Sequence, residues 1–417
     1  MLELSVGEVV HGGWCICRQD ATGWVVFLRH ALPGERVRAV VTQVTARFAR
    51  ADAVEILDAS ADRVEPPCRY ARPDGCGGCD WQHASLPAQR ALKAAVIRQQ
   101  LSRIAGLDRH VDVLPLPGYD AGLGWRTVVS YAVDQRGKPG LRKHRSHDIV
   151  EIDECLIAHD LVNGAGITGL PWPSAKSVQV CAVPDTGQRG VIVTAARAAG
   201  LPAIAADSVL LAGRPRGRTA LRGRAWLTRH AAGREWRVSL GGFWQVHPAA
   251  ADVLAAAVLA ELDPQPGEVA LDLYCGAGLF AGELAEAVGP GGAVIAIDAD
   301  AAAVRDARHN LRAWPWARAH RGDAASVLQR AGLSGASLAV LDPPRTGVAR
   351  PVIDALCARD GTRLALGRIC YVSCDPATLA RDLRLLLDGG WHLAALRGYD
   401  AFPMTHHVEC VATLTRA

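Results

Sequence analysis

The chain lacks the features that would place it outside ordinary globular proteins. No apolar run among its 417 residues approaches the ~20 that a membrane helix needs, which predicts a chain without a membrane partner. Its twelve cysteines are about 3% of the residues, well under the roughly 8–10% of a disulfide scaffold. They read instead as ligands, nucleophiles or small buried groups in a reducing cytosol. Charge of neither sign dominates: 46 Lys+Arg against 42 Asp+Glu leave +4, so net charge alone points to no partner. Internal repeats and low-complexity tracts are missing, which excludes solenoids and disordered chains. The first twenty residues carry Glu3, Glu8 and Asp20 without a basic start or long apolar stretch, so the expected location is cytoplasmic. What remains is length enough for two to three domains with their own cores.

Three patterns divide the chain. Residues 1–57 alternate in short apolar and polar runs, such as Gly23-Trp24-Val25-Val26-Phe27, broken by Leu32-Pro33-Gly34-Glu35. That predicts an OB-like β-barrel. Residues 58–240 read as an α+β central domain, with a helix at about 85–106 linking domains and able to pack on the third. From 241 to 417, apolar strands at 269–273, 293–297, 337–341 and 368–372 alternate with helices, predicting a parallel α/β sheet covered on both faces. Positive charge is clustered. Between Arg136 and His147 stand five Lys/Arg and two His without an acid, and between Arg214 and Arg237 eight Arg against Glu235. Interleaved with Trp226 and Trp236 in a chain poor in aromatics, these runs suit a phosphate-backbone surface.

Candidate chemistry falls at strand ends. Asp272-Leu273-Tyr274-Cys275-Gly276-Ala277-Gly278 joins a strand to a helix, and Asp298 ends the next strand, where a carboxylate can take two ribose hydroxyls. The third glycine of the dinucleotide fingerprint is missing, so a nucleoside cofactor without phosphates, S-adenosylmethionine, fits better. Asp323 is expected at the third strand end, facing an adenine edge. Asp342-Pro343-Pro344-Arg345 and Ser373-Cys374-Asp375-Pro376 follow the last two strands. Cys374 is the candidate nucleophile, beside a helix start whose dipole is expected to lower its thiol pKa. Glu409, after Phe402-Pro403-Met404-Thr405-His406-His407-Val408, is a carboxylate candidate.

Cys68, Cys76 and Cys79 form Cys-x7-Cys-Gly-Gly-Cys, and Cys155 lies far downstream. Four thiolates suit a structural zinc or an iron-sulfur cluster; three clustered and one remote is the commoner arrangement of a 4Fe-4S site.

Together these motifs resemble the uracil-5 RNA methyltransferases, over essentially the whole chain. The resemblance implies a TRAM domain at 1–57, a central iron-sulfur and RNA-binding domain at 58–240, and a Rossmann-like catalytic domain at 241–417. It implies S-adenosylmethionine contacts at Gln245 of Phe243-Trp244-Gln245-Val246, Tyr274, Asp298, Asp323 and Asp342. It also implies a nucleophile at Cys374, a base at Glu409, Arg126 beside the reacting base, and 4Fe-4S ligands at Cys68, Cys76, Cys79 and Cys155. Asp298 stands where a glutamate is commoner, and His247 where asparagine is expected. The implied product is 5-methyluridine, the substrate 23S ribosomal RNA, and the state a monomer without an obligate protein partner. Competing readings are a transfer-RNA methylase of the same family and a non-catalytic RNA-binding protein with a metal held by four cysteines. A radical methylthiotransferase is rejected, because Cys370-x3-Cys374 is followed by Ala377 rather than a third cysteine.

Overall fold

In a computed structural model, residues 1–18, 23–213, 217–330, 335–358 and 364–416 are described. Arg214 and Arg216 of the second basic run lie outside them.

The N-terminal region forms one six-stranded sheet around a core that includes Val26, Leu28, Val37 and Ala51. The expected alternation is visible in Arg36–Val44, whose Val37 and Ala39 point inward while Arg36 and Arg38 ion-pair outside with Asp58 and Glu55. A seven-stranded sheet then builds the central region on Trp172, Val180 and Val193.

The C-terminal region carries an eight-stranded sheet. Its order is Ala317–Arg321, Ala293–Asp298, Val269–Leu273, Ala336–Leu341, Arg368–Ser373, Glu409–Thr415, His392–Asp400 and Val113–Pro115. The first five pair in parallel; four of them are the expected near-continuous apolar runs, while the edge strand Ala317–Arg321, Ala-Arg-Ala-His-Arg, is not one. Glu409–Thr415 enters antiparallel between Arg368–Ser373 and His392–Asp400.

Sheet membership crosses the expected boundary at 240. Val113–Pro115 adds the outermost strand, pairing with Gly398–Asp400. The predicted linker helix is Leu86–Gln100, capped by the Ser85 hydroxyl; it continues as a π turn over Leu101–Ala105 and stops at Gly106, φ 68. Ile97 and Leu101 of this segment pack in the C-terminal core. Trp236, from the hairpin Trp226–Ala231 and Arg234–Ser239, does the same on the opposite face.

One buried ion pair ties this helix to the C-terminal sheet. Lys93, fully buried, donates to Asp400 Oδ1 at 2.5 Å and to the Phe402 carbonyl at 3.0 Å. Lys93→Ala leaves Asp400 buried without its cation. The expected loss is about 3–5 kcal/mol of stability, read from the denaturant midpoint.

Candidate active site

The site is assembled at the carboxyl ends of the parallel strands. Val269–Leu273 runs into Tyr274, held at φ 68, and then Gly276 and Gly278 at φ 55 and 91. A Cβ built on Gly276 meets nothing within 4 Å, so the backbone there is open to a ligand. The Asp298 carboxylate accepts the Gly276 amide at 2.9 Å and the Asp300 amide at 2.8 Å, which fixes it against the glycine turn. Asp272 lies beneath, fully buried, accepting the Ala281 amide at 2.8 Å. Burial pushes its carboxyl up to about 8.

Strand register brings the reactive groups together. Ser373 pairs with Cys410, so continuing the antiparallel ladder by one residue sets Cys374 across from Glu409. Leu341 pairs in parallel with Tyr371, which puts Asp342 at the same edge. Glu409 is 3% exposed, and burial, then the Asp342 charge, raises its carboxyl well above the ordinary value. Asp342 is likewise raised by burial. The Cys374 thiol is pushed up to about 12, first by burial and then by Glu409, with Arg345 opposing. This overturns the expectation of a dipole-lowered thiol. Asp375, not Cys374, is the N-cap of Pro376–Asp388, and its carboxylate accepts the Thr378 amide at 2.8 Å. Burial and the neighbouring carboxyls outweigh the helix end at the thiol.

Gln245, Tyr274, Asp298, Asp342, Cys374, Glu409 and Arg126 all line one cavity of about 980 Å³. Asp323 is the exception among the predicted contacts. It follows the strand Ala317–Arg321 as expected, but its carboxylate accepts the Ser326 amide at 3.0 Å, starting a helix, and it does not line the cavity. His247 is buried against Tyr119 and Trp125, with ring centroids 5.1 and 6.1 Å away.

Cys68, Cys76, Cys79 and Cys155 line a second cavity of about 340 Å³. All four are free thiols. Burial raises Cys76 to about 11, with the Cys155 and Cys68 charges adding to it, and the Gly78 amide points at the Cys76 sulfur at 3.4 Å. Among the described residues, no group of three or more His, Cys, Asp or Glu is placed to hold a single metal ion. A zinc ion, with Zn–S bonds of about 2.3 Å, needs the sulfurs drawn tightly together. A 4Fe-4S cluster seats one thiolate on each of four irons and so spans a larger volume. Gly77, Gly78, Arg126 and His144 line both cavities and so form the wall between them.

Sequence reasoning missed the clamp on the loop leading to Glu409. The Asp80 carboxylate accepts from His406 Nδ1 at 2.6 Å and from the His406 amide at 3.1 Å. Against the burial that would raise it, the His406 hydrogen bond holds Asp80 at about 2. Gln89 accepts the Met404 amide at 2.7 Å, and His11 of the first sheet pairs with Asp375 at 3.2 Å. These partners come from distant segments, and only the fold unites them. The adjacent histidines after Phe402-Pro403 were the sole local signal.

Residues 334–417 match the model of the tRNA (Uracil-5-)-methyltransferase family. An uncharacterized RNA methyltransferase of Streptomyces avermitilis is 48% identical, over 100% of this chain and 98% of its own. The 23S rRNA (uracil(1939)-C(5))-methyltransferase RlmD of Halomonas elongata is 31% identical, over 99% of this chain and 89% of its own. The crystal structure of Pyrococcus abyssi tRNA (uracil-54, C5)-methyltransferase with S-adenosyl-L-homocysteine superimposes with TM-score 0.74, covering 99% of each chain at 23% identity, a likeness of fold. With such relatives aligned from end to end, the chain belongs to the uracil-5 RNA methyltransferases, enzymes that use S-adenosylmethionine.

Proposed function

We propose that the protein methylates C5 of a uridine in 23S ribosomal RNA, with Cys374 as nucleophile and Glu409 as base. The observation that carries this is the meeting of Cys374, Glu409, Asp342 and the cofactor residues in one cavity. Uracil C5 alone is too weak a nucleophile to attack a sulfonium methyl. The Cys374 sulfur therefore adds to C6, and the charge moves into an enolate that Arg126 faces. Gln245, Tyr274, Asp298 and Asp342 would hold S-adenosylmethionine, which would supply the electrophilic methyl that C5 takes, its S–CH3 bond breaking to leave neutral S-adenosylhomocysteine. Glu409 then removes the C5 proton, the C5–C6 double bond re-forms, and the Cys374 sulfur leaves. The target base must leave its stack at a cost of a few kcal/mol, and the basic central sheet supports the opened RNA.

The cysteine quartet is assigned a 4Fe-4S cluster, supported by four half-buried free thiols around one cavity. The protein acts as a cytoplasmic monomer. No helix among the described residues is long and apolar enough to cross a membrane.

Ribosomal RNA is favoured over transfer RNA by the end-to-end likeness to the Halomonas elongata protein. Labelled methyl transfer to unmodified ribosomal and transfer RNA, with nucleosides identified by mass spectrometry, decides between them. The expected product is 5-methyluridine in large-subunit RNA; 5-methyluridine in transfer RNA alone moves the substrate to the other branch, and no transfer to either overturns the proposal. Asp298→Ala removes the carboxylate aimed at the cofactor ribose. It is expected to raise the Kd for S-adenosylmethionine by about 10- to 100-fold in calorimetric titration.

A further inference from the structure

We infer that a recess on the outer edge of the catalytic sheet, remote from the cysteine quartet, binds backbone phosphates of the RNA substrate. The inference rests on RNA being the substrate. The recess has a volume of about 340 Å³ and lies between the helix Ala301–Asn310 with its following turn and the edge strand Ala317–Arg321. Arg308 and Arg312 stand four apart, and so on one side of the helix and turn; Arg318 and His320 stand two apart, and so on one face of the strand. All four side chains are exposed, and all four line the recess. Its lining contains no aspartate or glutamate.

Residues 305–321 hold five arginines and two histidines against one acid, Asp306. That acid is turned away: it is 2% exposed and pairs with Arg237 at 3.2 Å. Among the described residues, no ion pair joins Arg308, Arg312 or Arg318 to a carboxylate. Converging guanidinium groups repel one another, and an anion between them relieves that. Two are already oriented. Arg308 Nε donates to the Ala319 carbonyl at 2.9 Å and Arg312 Nη1 to the His309 carbonyl at 2.6 Å, leaving their other N–H groups to point elsewhere. Arg308 thereby also covers the free edge of the sheet, a role that would explain this one arginine but neither Arg312 nor Arg318.

The recess adjoins a strip of arginine and tryptophan side chains. Trp314 in the recess wall carries Arg234 at 4.7 Å over its ring, and Arg237 of the same strand lies 4.1 Å over Trp226. Arg224 extends this chain of contacts, 5.6 Å from the Trp226 ring. Arginine and tryptophan thus alternate from the central region across to the sheet edge. Arg234 is itself paired with Glu283 and Glu286 and Arg237 with Asp306, so the charge a phosphodiester strand meets is that of Arg308, Arg312 and Arg318.

The test compares wild-type protein with Arg312→Ala/Arg318→Ala, residues outside the catalytic cavity. Binding of a large-subunit RNA fragment is followed against salt. Loss of two phosphate contacts is expected to flatten the slope of log K against log salt by about 1.4–1.8, and to weaken binding about tenfold near physiological salt. Arg312→Lys/Arg318→Lys, which keeps both charges, is expected to restore the slope. KM for the fragment rises while kcat stays, because the reacting groups are untouched. An unchanged slope in the alanine variant overturns the inference, as does an alanine variant that loses inorganic phosphate while its RNA binding stays intact. Failure of the wild type to methylate any RNA counts instead against the proposed function, since the salt slope is read from binding alone.

Discussion

Cys374→Ala protein is expected to bind S-adenosylmethionine as the wild type does, yet to transfer no methyl group to RNA, a loss on the order of 10⁴-fold or more. The size follows from the route. Without a sulfur added at C6, C5 keeps too little electron density to accept the methyl, and no other thiol can substitute. Of the twelve cysteines, Cys374 alone lines the large cavity. Cys370 and Cys410 are fully buried on neighbouring strands, and Cys275 lies at the glycine turn. The fold should survive the change, because Cys374 is only partly buried and the Asp375 cap on the following helix remains. Two readouts separate this role from a structural one: the variant forms no covalent complex with RNA on a denaturing gel, and its cofactor Kd is unaltered. Undiminished turnover sinks the assignment. A pH dependence belongs to the same argument. Since burial and Glu409 hold the thiol up at about 12, the thiolate is the minor form at neutral pH and its fraction grows about tenfold per pH unit. Wild-type adduct formation in a single turnover is therefore expected to rise from pH 6.5 to 8.5; a flat profile would show that the proton is lost to a group inside the cavity.

Much of this site is written in local sequence, because parallel strands advertise themselves. Continuous apolar runs ending at Leu273, Ile297, Leu341 and Val372 need only short-range patterning to be recognised, and chemistry in such sheets gathers at their carboxyl ends. Asp298, Asp342 and Cys374 were picked out on that ground, whereas Tyr274 entered with the family resemblance. Val113–Pro115 was not: three residues ending in proline carry no strand signal, and their pairing with Gly398–Asp400 spans most of the chain. The thiol of Cys374 was misjudged for a related reason. A helix dipole can be read from the next few residues, whereas the burial that outweighs it is contributed by strands far away in sequence. Asp323 stands at the strand end the sequence indicated, and one oxygen of its carboxylate accepts the Ser326 amide at the start of the next helix. The clamp of Asp80 on His406 joins residues 326 apart, which no local pattern announces.

Glu409→Gln is expected to do something different from Cys374→Ala: to accumulate the covalent protein–RNA complex while product release falls by roughly 10²- to 10⁴-fold. The carboxyl is 3% exposed and lines the cavity that holds Cys374. Glutamine keeps the size of the side chain and its place opposite Cys374 but cannot accept that proton. Addition at C6 and methylation at C5 need no base at that position, so both proceed and the chain stalls with the Cys374 sulfur bound. The raised carboxyl sharpens the expectation. Burial and the Asp342 charge disfavour its ionised form, which makes it a stronger proton acceptor than an exposed glutamate once ionised. Nucleosides released from the trapped complex by protease and nuclease digestion should carry the methyl group already. An unmethylated adduct would move Glu409 to an earlier step, and a variant that neither traps RNA nor slows release would remove it from the reaction.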